Sequence, residues 1–277
     1  MPELRVTVSS RLWQALQVYA SANGEPLGEI VGKALSDYLQ VTHSTVYQVS
    51  TSTALVEGVY QGAVRIETLR EHGDMGLGTF EHLDGEMVVV DGRFFQVRSD
   101  GSVHECADDV LSPFAVITHF TPEPAVTIAC CPDLSELTAQ FDRLRHSDNL
   151  FYALRVDGHF DAVHTRAMCW TEEGVPLVQA AAEQPEFELR DVVGTLVGFW
   201  SPGYTKTMSV PGYHLHFLSD DRKSGGHLLQ CRGRDWRLQI QKTGDYRIVL
   251  PATDDFLKAD LSRDGAADLE KAEREQH

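Results

Sequence analysis

The stretch "YHLHFLSDDRKSGGHLLQC", residues 213–231, combines two apolar-polar alternations with a polar turn between them. Residues two apart on a strand point to the same face, so a strand over "YHLHF" projects His214 and His216 together. The run "SDDRKSGG" predicts a turn, and "HLLQC" predicts a returning strand that brings His227 opposite the pair. The pattern therefore predicts a β-hairpin with three imidazoles on one face.

Three imidazoles on one sheet face suit Zn²⁺ or a similar divalent ion, and three protein ligands with an open position are typical of catalytic zinc. The chain has 12 histidines, however, and a His-x-His pair is common. A cupin-type site expects a glutamate soon after the pair, where this sequence has Ser219, Asp220 and Asp221. Spacing alone leaves a metal site and three ordinary polar side chains about equally open.

Length and charge limit the possible functions. The chain has 277 residues, enough for one large core or two domains. Its 41 acidic and 24 basic residues give a formal net charge of −17, which disfavours nucleic acid and anionic membranes as general partners. Five cysteines without a CxxC pair indicate free thiols in a reducing compartment. We expect a cytoplasmic protein without a membrane partner, since signal-peptide and membrane-spanning apolar runs are missing from the sequence.

Residues 1–42 predict a separate unit. The segment "LRVTV", residues 4–8, alternates as a short strand with Arg5 and Thr7 on one face. Ser9 or Ser10 then caps a helix with apolar residues at helical spacing, and "NGEP" breaks it. A second helix with a wide apolar stripe follows.

This order of strand, helix, turn and helix resembles the ribbon-helix-helix family of DNA-binding dimers. In that family, strands pair across the dimer and outward strand residues contact the major groove, positions that Arg5, Thr7 and Ser9 occupy here. The segment carries three basic and four acidic residues, which gives little affinity for phosphate. We therefore favour a homodimer held by this unit over DNA binding, because such a monomer cannot bury its own apolar faces.

The rest of the chain has a different pattern. Residues 43–55 are rich in Ser and Thr and predict a linker, and residues 56–277 predict the second domain. The stretch "EMVVVDGRFFQVRSDGSV" predicts a hairpin that turns at Asp91-Gly92. Helices are predicted only over 133–146 and 266–275. The body is therefore expected to be α+β and strand-rich.

Two long blocks, "GDMGLGTFEHLDGEMVVVDGRFFQV" (73–97) and "SPGYTKTMSVPGYHLHFLSDDRKSGGHLL" (201–229), closely resemble alpha-acetolactate decarboxylase. The blocks "LFYALRVDGHFDAVHTRA" (150–167) and "LPATDDFLKADLSRDGAADLEKAE" (250–273) match in the same order, so the resemblance covers residues 50–277. It implies a mixed β-sheet or barrel body and an enzyme that converts (S)-2-acetolactate to (R)-acetoin and CO₂. The ribbon-helix-helix-like segment lies outside this resemblance.

The resemblance also implies a set of site residues. The metal, usually zinc in the family, is held by three histidines of the quoted hairpin: His214, His216 and His227. The family's threonine and glutamate in "GTF…DGE" match Thr79 and Glu86, and its arginine matches Arg166. A second glutamate comes from the C-terminal tail, where Glu273 is the first choice and Glu270 the alternative.

These residue types suit a decarboxylation. When CO₂ leaves acetolactate, the remaining electrons form an enediolate, which a divalent metal can stabilise as a Lewis acid. Arg166 can bind the substrate carboxylate with its planar guanidinium. Glu86 or Glu273 can protonate the enediolate on one face, and the sequence leaves open which one does so.

A second hypothesis is a transcriptional regulator in which the ribbon-helix-helix unit is joined to a body that senses acetolactate or a related hydroxy-keto acid. A sensor needs the binding residues but no proton donor. The presence of both candidate glutamates therefore favours the enzyme.

Overall fold

The computed structural model describes residues 5–24, 26–39, 45–263 and 265–273. The chain divides into two compact units, residues 1–43 and residues 44–277. Within the described residues, no helix has the length and apolar character needed to cross a membrane.

The described part of the first unit contains two helices, α1 (Ser10–Asn23) and α2 (Leu27–Leu39), as the sequence predicts. Ser9 is the N-cap of α1, since its side chain accepts a hydrogen bond from the backbone N–H of Leu12. Gly24 ends the helix in the left-handed conformation, with φ 66°. The helix-breaking role predicted for "NGEP" is therefore confirmed at Gly24.

The strand predicted over residues 4–8 is not formed in the described part, residues 5–9. A lone strand leaves its backbone N–H and C=O groups unpaired, so it needs a second strand beside it. The proposed DNA-contacting residues Arg5 and Thr7 are both exposed. Apolar side chains in this unit are exposed as well, including Val6 at 63% and Trp13 at 47%.

The described part of the second unit is mainly β-structure. Its strands, in chain order, are β1 (Thr45–Val49), β2 (Val64–Arg65), β3 (Met75–Thr79), β4 (Glu86–Val90), β5 (Arg93–Val97), β6 (Val103–Glu105), β7 (Leu111–Ser112), β8 (Ala115–Thr118), β9 (Val126–Cys131), β10 (Phe151–Arg166), β11 (Glu186–Ser201), β12 (Gly212–Ser219), β13 (Gly225–Thr243) and β14 (Asp245–Val249).

Short helices lie between these strands and after them. They are α3 (Ser52–Val56), α4 (Ile66–Glu71), α5 (Leu134–Leu144), α6 (Leu177–Ala181), α7 (Asp254–Lys258) and α8 (Ala266–Glu273), with 3₁₀ turns at Glu81–Leu83 and Gly203–Thr205. The helices predicted over 133–146 and 266–275 correspond to α5 and α8.

Two larger sheets form the body. One has the strand order β14-β1-β8-β3-β4-β5-β6, and its strands are antiparallel except for the parallel pair β1 and β14. The other has the order β10-β11-β12-β13-β9, and β10 also pairs with β13. The strands β10 to β13 therefore close on themselves, which gives a strand-rich α+β fold with a barrel-like part.

The linker predicted over residues 43–55 is wrong from residue 45 onward, because β1 and α3 lie there. Val46 and Val49 are fully buried in the sheet. The polar residues that suggested a linker are bonded inside the body: the hydroxyls of Ser52 and Thr53 donate to the carbonyls of Ser209 and Thr207. A Ser/Thr-rich segment can be buried when each hydroxyl has such a partner.

The hairpin predicted at Asp91-Gly92 is confirmed and joins β4 to β5. Both turn residues have positive φ, 52° and 73°, as a type I′ turn requires. This turn fixes the register in which Glu86, at the start of β4, lies opposite Val97. It therefore determines which face of the sheet Glu86 occupies.

Gly198 on β11 allows the neighbouring strand β12 to approach closely, because a Cβ at this position would lie 2.0 Å from the carbonyl oxygen of His214. We expect Gly198→Ala to lower the free energy of unfolding by roughly 1–3 kcal/mol, the usual cost of an overpacked site. Urea unfolding measures this. Gly203→Ala is the matched control, since nothing lies within 4 Å of its added Cβ. Equal midpoints for the two variants would contradict the prediction.

Candidate metal centre

The β-hairpin predicted for residues 213–231 is present and consists of β12, a turn and β13. Within it His216 lies directly opposite His227, and His214 lies two residues before His216 on the same strand face. One ligand atom from each of the three histidines lies within 4.8 Å of the others. The hairpin therefore brings the three predicted ligands together.

Backbone carbonyls orient two of the three imidazoles, and the Nε2 atoms of His214 and His216 lie 3.2 Å apart. His216 Nδ1 lies 2.8 Å from the carbonyl oxygen of Met87 and His227 Nε2 lies 3.3 Å from that of Glu273, so each of these nitrogens donates its proton. The opposite nitrogens, His216 Nε2 and His227 Nδ1, keep their lone pairs. Such backbone hydrogen bonds commonly orient metal-binding histidines.

Burial keeps the three histidines neutral. It lowers the pKa of His214 to about 3, with a further contribution from the positive charge of Arg166. Burial also lowers the pKa of His216 and of His227 well below the usual value. Neutral nitrogen donors that converge in a buried place fit a borderline divalent ion such as zinc.

Two carboxylates lie against the histidines. Glu86 Oε2 is 3.6 Å from His216 Nε2, and Glu86 Oε1 accepts a hydrogen bond of 3.2 Å from the backbone N–H of Met168. Glu273 Oε2 lies 3.6 Å from His214 Nε2 and 3.8 Å from His227 Nδ1. Both carboxylates are therefore within reach of a ligand that binds at the three imidazoles.

The two glutamates are weak acids in this surrounding. Burial raises the pKa of Glu86 to about 8, and the neighbouring Glu273 adds to the increase. Burial raises the pKa of Glu273 to about 7. The positive charge of Arg166 opposes both shifts. Carboxylic acids with a pKa near neutrality are suited to donating a proton.

Arg166 is the last residue of β10 and lies opposite His227 on β13. Its side chain is buried, and one Nη donates to the carbonyl oxygen of Ala272. Its Nε is buried without a hydrogen-bond partner in the structure. A buried donor without a partner is costly, so this guanidinium suits an anionic ligand.

Thr79 ends β3 and lies opposite Glu86 on β4. Its hydroxyl donates to the carbonyl oxygen of Gly85 at 2.8 Å, and its own carbonyl accepts a hydrogen bond from the Ser112 hydroxyl. These bonds hold the turn between β3 and β4, from which Glu86 begins. Thr79 thus lies beside the site and also fixes the backbone around it.

Apart from His216, these residues line one cavity. Its polar lining consists of Thr79, Glu86, Arg166, Gln184, His214, His227 and Glu273. Its apolar lining includes Leu55, Leu83, Phe114, Met168, Leu177 and Ala181. A small polar group facing a mostly apolar wall is typical of a site for a small molecule.

The tail carboxylate in this cavity belongs to Glu273, and the alternative residue, Glu270, is exposed. Leu269 and Ala272 are the buried residues of α8. Glu273 lies one helical turn after Leu269, whereas Glu270 is rotated by about 100° from Leu269 and lies one turn further from the site. Of the two tail glutamates, the first choice, Glu273, lines the cavity, and the alternative, Glu270, is not among the lining residues.

Sequence reasoning missed several lining residues, among them Leu83, Met168 and Gln184. Leu83 belongs to a 3₁₀ turn in which His82 and Leu83 both have positive φ, 60° and 54°. Gln184 lies in a loop without a recognisable motif. Of these three residues, only Leu83 could have been found from the sequence, because it lies inside the family-like block "GTFEHLDGE".

The comparison with protein families matches the alpha-acetolactate decarboxylase model to residues 46–263. The chain belongs to the alpha-acetolactate decarboxylase family. Residues before 46 and helix α8 lie outside the matched range.

Curated relatives support the same family over most of their length. The alpha-acetolactate decarboxylase of Bacillus licheniformis is 40% identical over 230 residues, which cover 82% of this chain and 91% of the relative. That of Methylococcus capsulatus is 42% identical over 229 residues, which cover 82% and 88%. The relatives are named for a decarboxylase, and the alternative of a sensor has no support among them.

Solved structures match the fold. The crystal structure of alpha-acetolactate decarboxylase from Bacillus subtilis has a TM-score of 0.81 at 39% identity, and the match covers 84% of this chain and 100% of that one. A Staphylococcus aureus protein, described as similar to this decarboxylase, has a TM-score of 0.79 at 29% identity.

Removal of one imidazole tests the metal centre. We expect each chain to bind about one divalent ion. Loss of a residue that only hydrogen-bonds to a metal ligand lowers metal affinity roughly 10–100-fold. Loss of a ligand should cost more, so we expect His216→Ala to weaken Zn²⁺ binding by at least about a hundredfold. Isothermal titration with Zn²⁺ measures this. His146→Ala is the control, because its side chain is exposed. Zn²⁺ binding that is unchanged in His216→Ala would exclude this residue as a ligand.

Proposed function

We propose that this protein decarboxylates (S)-2-acetolactate to (R)-acetoin and CO₂ with the help of a divalent metal. The observation that carries the proposal is a cluster of three neutral histidines beside a cavity that is also lined by two weakly acidic glutamates and one arginine. The activity is the one for which the relatives in this family are named.

His214, His216 and His227 would hold the metal, with zinc as our first choice because three neutral nitrogen donors suit it. When bound, such an ion supplies Lewis-acid stabilisation of the negative charge that develops as CO₂ leaves. The histidines are uncharged, so they leave the charge of the cation undiminished.

We assign the substrate carboxylate to Arg166. Its guanidinium is buried and has one N–H without a partner, so binding an anion satisfies this donor. A planar guanidinium also orients a carboxylate more strictly than a single N–H does. This orientation places the bond to be broken beside the histidines, and the surrounding apolar wall limits access of water to it.

We assign protonation of the enediolate, which remains when CO₂ leaves, to Glu86 or Glu273. Each has a pKa near neutrality, so each holds a proton in a useful fraction of molecules at pH 7. A proton delivered from one fixed position reaches one face of a flat intermediate, which gives a single acetoin enantiomer. Thr79 supports this step by holding the turn from which Glu86 begins.

Incubation with racemic 2-acetolactate tests the function directly. We expect the purified protein to release acetoin and CO₂ from one enantiomer, to lose this activity with a chelator and to regain it when Zn²⁺ is added. Chiral gas chromatography of acetoin is the measurement, with a protein-free sample as control. Tight binding of acetolactate without any turnover would support the sensor hypothesis instead.

Substitution of the glutamates separates their roles. We expect Glu86→Gln and Glu273→Gln both to lower kcat, with the larger loss, of roughly 10²–10⁴-fold, at the proton donor, because an amide cannot give up a proton as an acid can. Glu270→Gln is the matched control on the same helix as Glu273, and its kcat should stay near that of the unchanged protein. A loss of kcat in Glu270→Gln as large as that in Glu273→Gln would refute the assignment.

We also propose that residues 1–42 form a ribbon-helix-helix-like unit that dimerises the chain. Support comes from the helix-turn-helix order and from exposed apolar residues such as Val6, Trp13 and Tyr19, which a second copy could cover. Arg5 and Thr7 are the residues that would contact DNA, a role we do not favour for a segment without an excess of basic residues. Light scattering measures the molar mass and so tests dimerisation. A monomer at micromolar concentration would contradict the proposal.

We propose a cytoplasmic location as well. The cysteines Cys106, Cys130, Cys131, Cys169 and Cys231 are all free. Free thiols are typical of a reducing compartment. Cell fractionation with an antibody to the protein would test it, and recovery from the culture medium would refute it.

A further inference from the structure

Gln184 lies in the loop between α6 and β11 and lines the same cavity as His214, His227 and Arg166. Its side-chain oxygen, Oε1, is buried and has no hydrogen-bond partner in the structure. A buried amide oxygen without a partner costs free energy, so a residue of this kind at the wall of a cavity suits a ligand that donates a hydrogen bond.

The loop around Gln184 is held next to Arg166. The carbonyl of Pro185 accepts a hydrogen bond from the backbone N–H of Ala167, and Glu186 lies opposite Arg166 in the sheet. The backbone N–H of Gln184 donates to the carbonyl of Ala181 at the end of α6. The backbone of Gln184 is therefore held on both sides, next in the chain to the segment that pairs with the residue to which we assign the carboxylate.

The proposed substrate has one hydrogen-bond donor. At neutral pH the carboxylate and the ketone of 2-acetolactate only accept hydrogen bonds, whereas its tertiary hydroxyl donates one. This hydroxyl is attached to the same carbon as the carboxylate. A protein group that binds the hydroxyl must therefore lie close to the group that binds the carboxylate.

We infer that Gln184 is a further substrate-binding residue, whose side-chain oxygen accepts the hydrogen bond of the tertiary hydroxyl while Arg166 binds the carboxylate. The inference rests on the proposed function. It predicts a preference for 2-hydroxy acids, because an acid without the hydroxyl leaves the amide oxygen buried and unpaired, and a site built around such a bond rejects the ligand that lacks it.

Two unreactive acids of nearly equal size test this without depending on turnover. 2-Hydroxy-2-methylpropanoate has the hydroxyl on the carbon next to the carboxylate, and 2,2-dimethylpropanoate has a methyl group in its place. The ratio of their dissociation constants, measured by isothermal titration with Zn²⁺-loaded protein, gives the preference for the hydroxyl. Any effect of a variant on the carboxylate alone cancels in this ratio.

We expect Gln184→Met, which keeps the length of the side chain and removes the acceptor, to lower the preference about five- to tenfold, as expected for one lost hydrogen bond. Gln184→Glu keeps an acceptor oxygen, so it should weaken binding of both acids by charge repulsion but keep their ratio. Gln179→Met is the control, because Gln179 is exposed on α6. Thermal unfolding and Zn²⁺ content check that every variant is folded and loaded.

An unchanged ratio of dissociation constants in Gln184→Met would overturn the inference. A preference for the hydroxy acid that disappears in Gln184→Glu would overturn it as well. The proposed function fails in a different way, namely if the unchanged protein makes no acetoin from acetolactate. The two failures are distinguishable, since the binding ratio is measured on acids that cannot lose CO₂ to form acetoin. With acetolactate itself, Gln184→Met should raise KM, and Gln179→Met should leave it unchanged.

Discussion

The register between β12 and β13 is the constraint on which the site depends. Because side chains alternate between the two faces of a strand, a slip of one residue would turn His227 away from His214 and His216. The same strand β13 also pairs with β10, where His227 lies opposite Arg166. One register therefore places the three imidazoles and the guanidinium on a common face, and the closed arrangement of these strands leaves little freedom to change it.

Burial has opposite effects on the two kinds of titratable residue in this cavity, with one common result. It lowers the pKa of the histidines and raises that of the glutamates, so that both favour their uncharged forms. Arg166 is the one basic side chain besides the histidines among the residues that line the cavity. The described lining thus combines a single fixed positive charge, which suits an anion, with neutral nitrogen donors and two weak acids.

Sequence reasoning succeeded where a local rule determines the structure. The Asp91-Gly92 turn follows from the need for positive φ, the hairpin of the histidines follows from alternation, and family motifs led to Glu86 and Arg166.

Prediction from the sequence failed where tertiary contacts determine the structure. The Ser/Thr-rich segment after residue 43 forms a buried strand and helix, because backbone carbonyls far along the chain accept hydrogen bonds from its hydroxyl groups. Gln184 was overlooked because nothing in its local sequence reveals which cavity its loop will border, and the choice between tail glutamates needed the docked helix.

Helix α8 is attached to the site through its last turn, where Arg166 and His227 bind the carbonyl oxygens of Ala272 and Glu273. A molecule in which this helix has detached keeps its three imidazoles but lacks one of its two acids. Only the docked population then offers both acids to the proposed reaction, so the apparent activity scales with that population. The free energy with which one short helix packs against the body is therefore part of the catalytic efficiency of the enzyme.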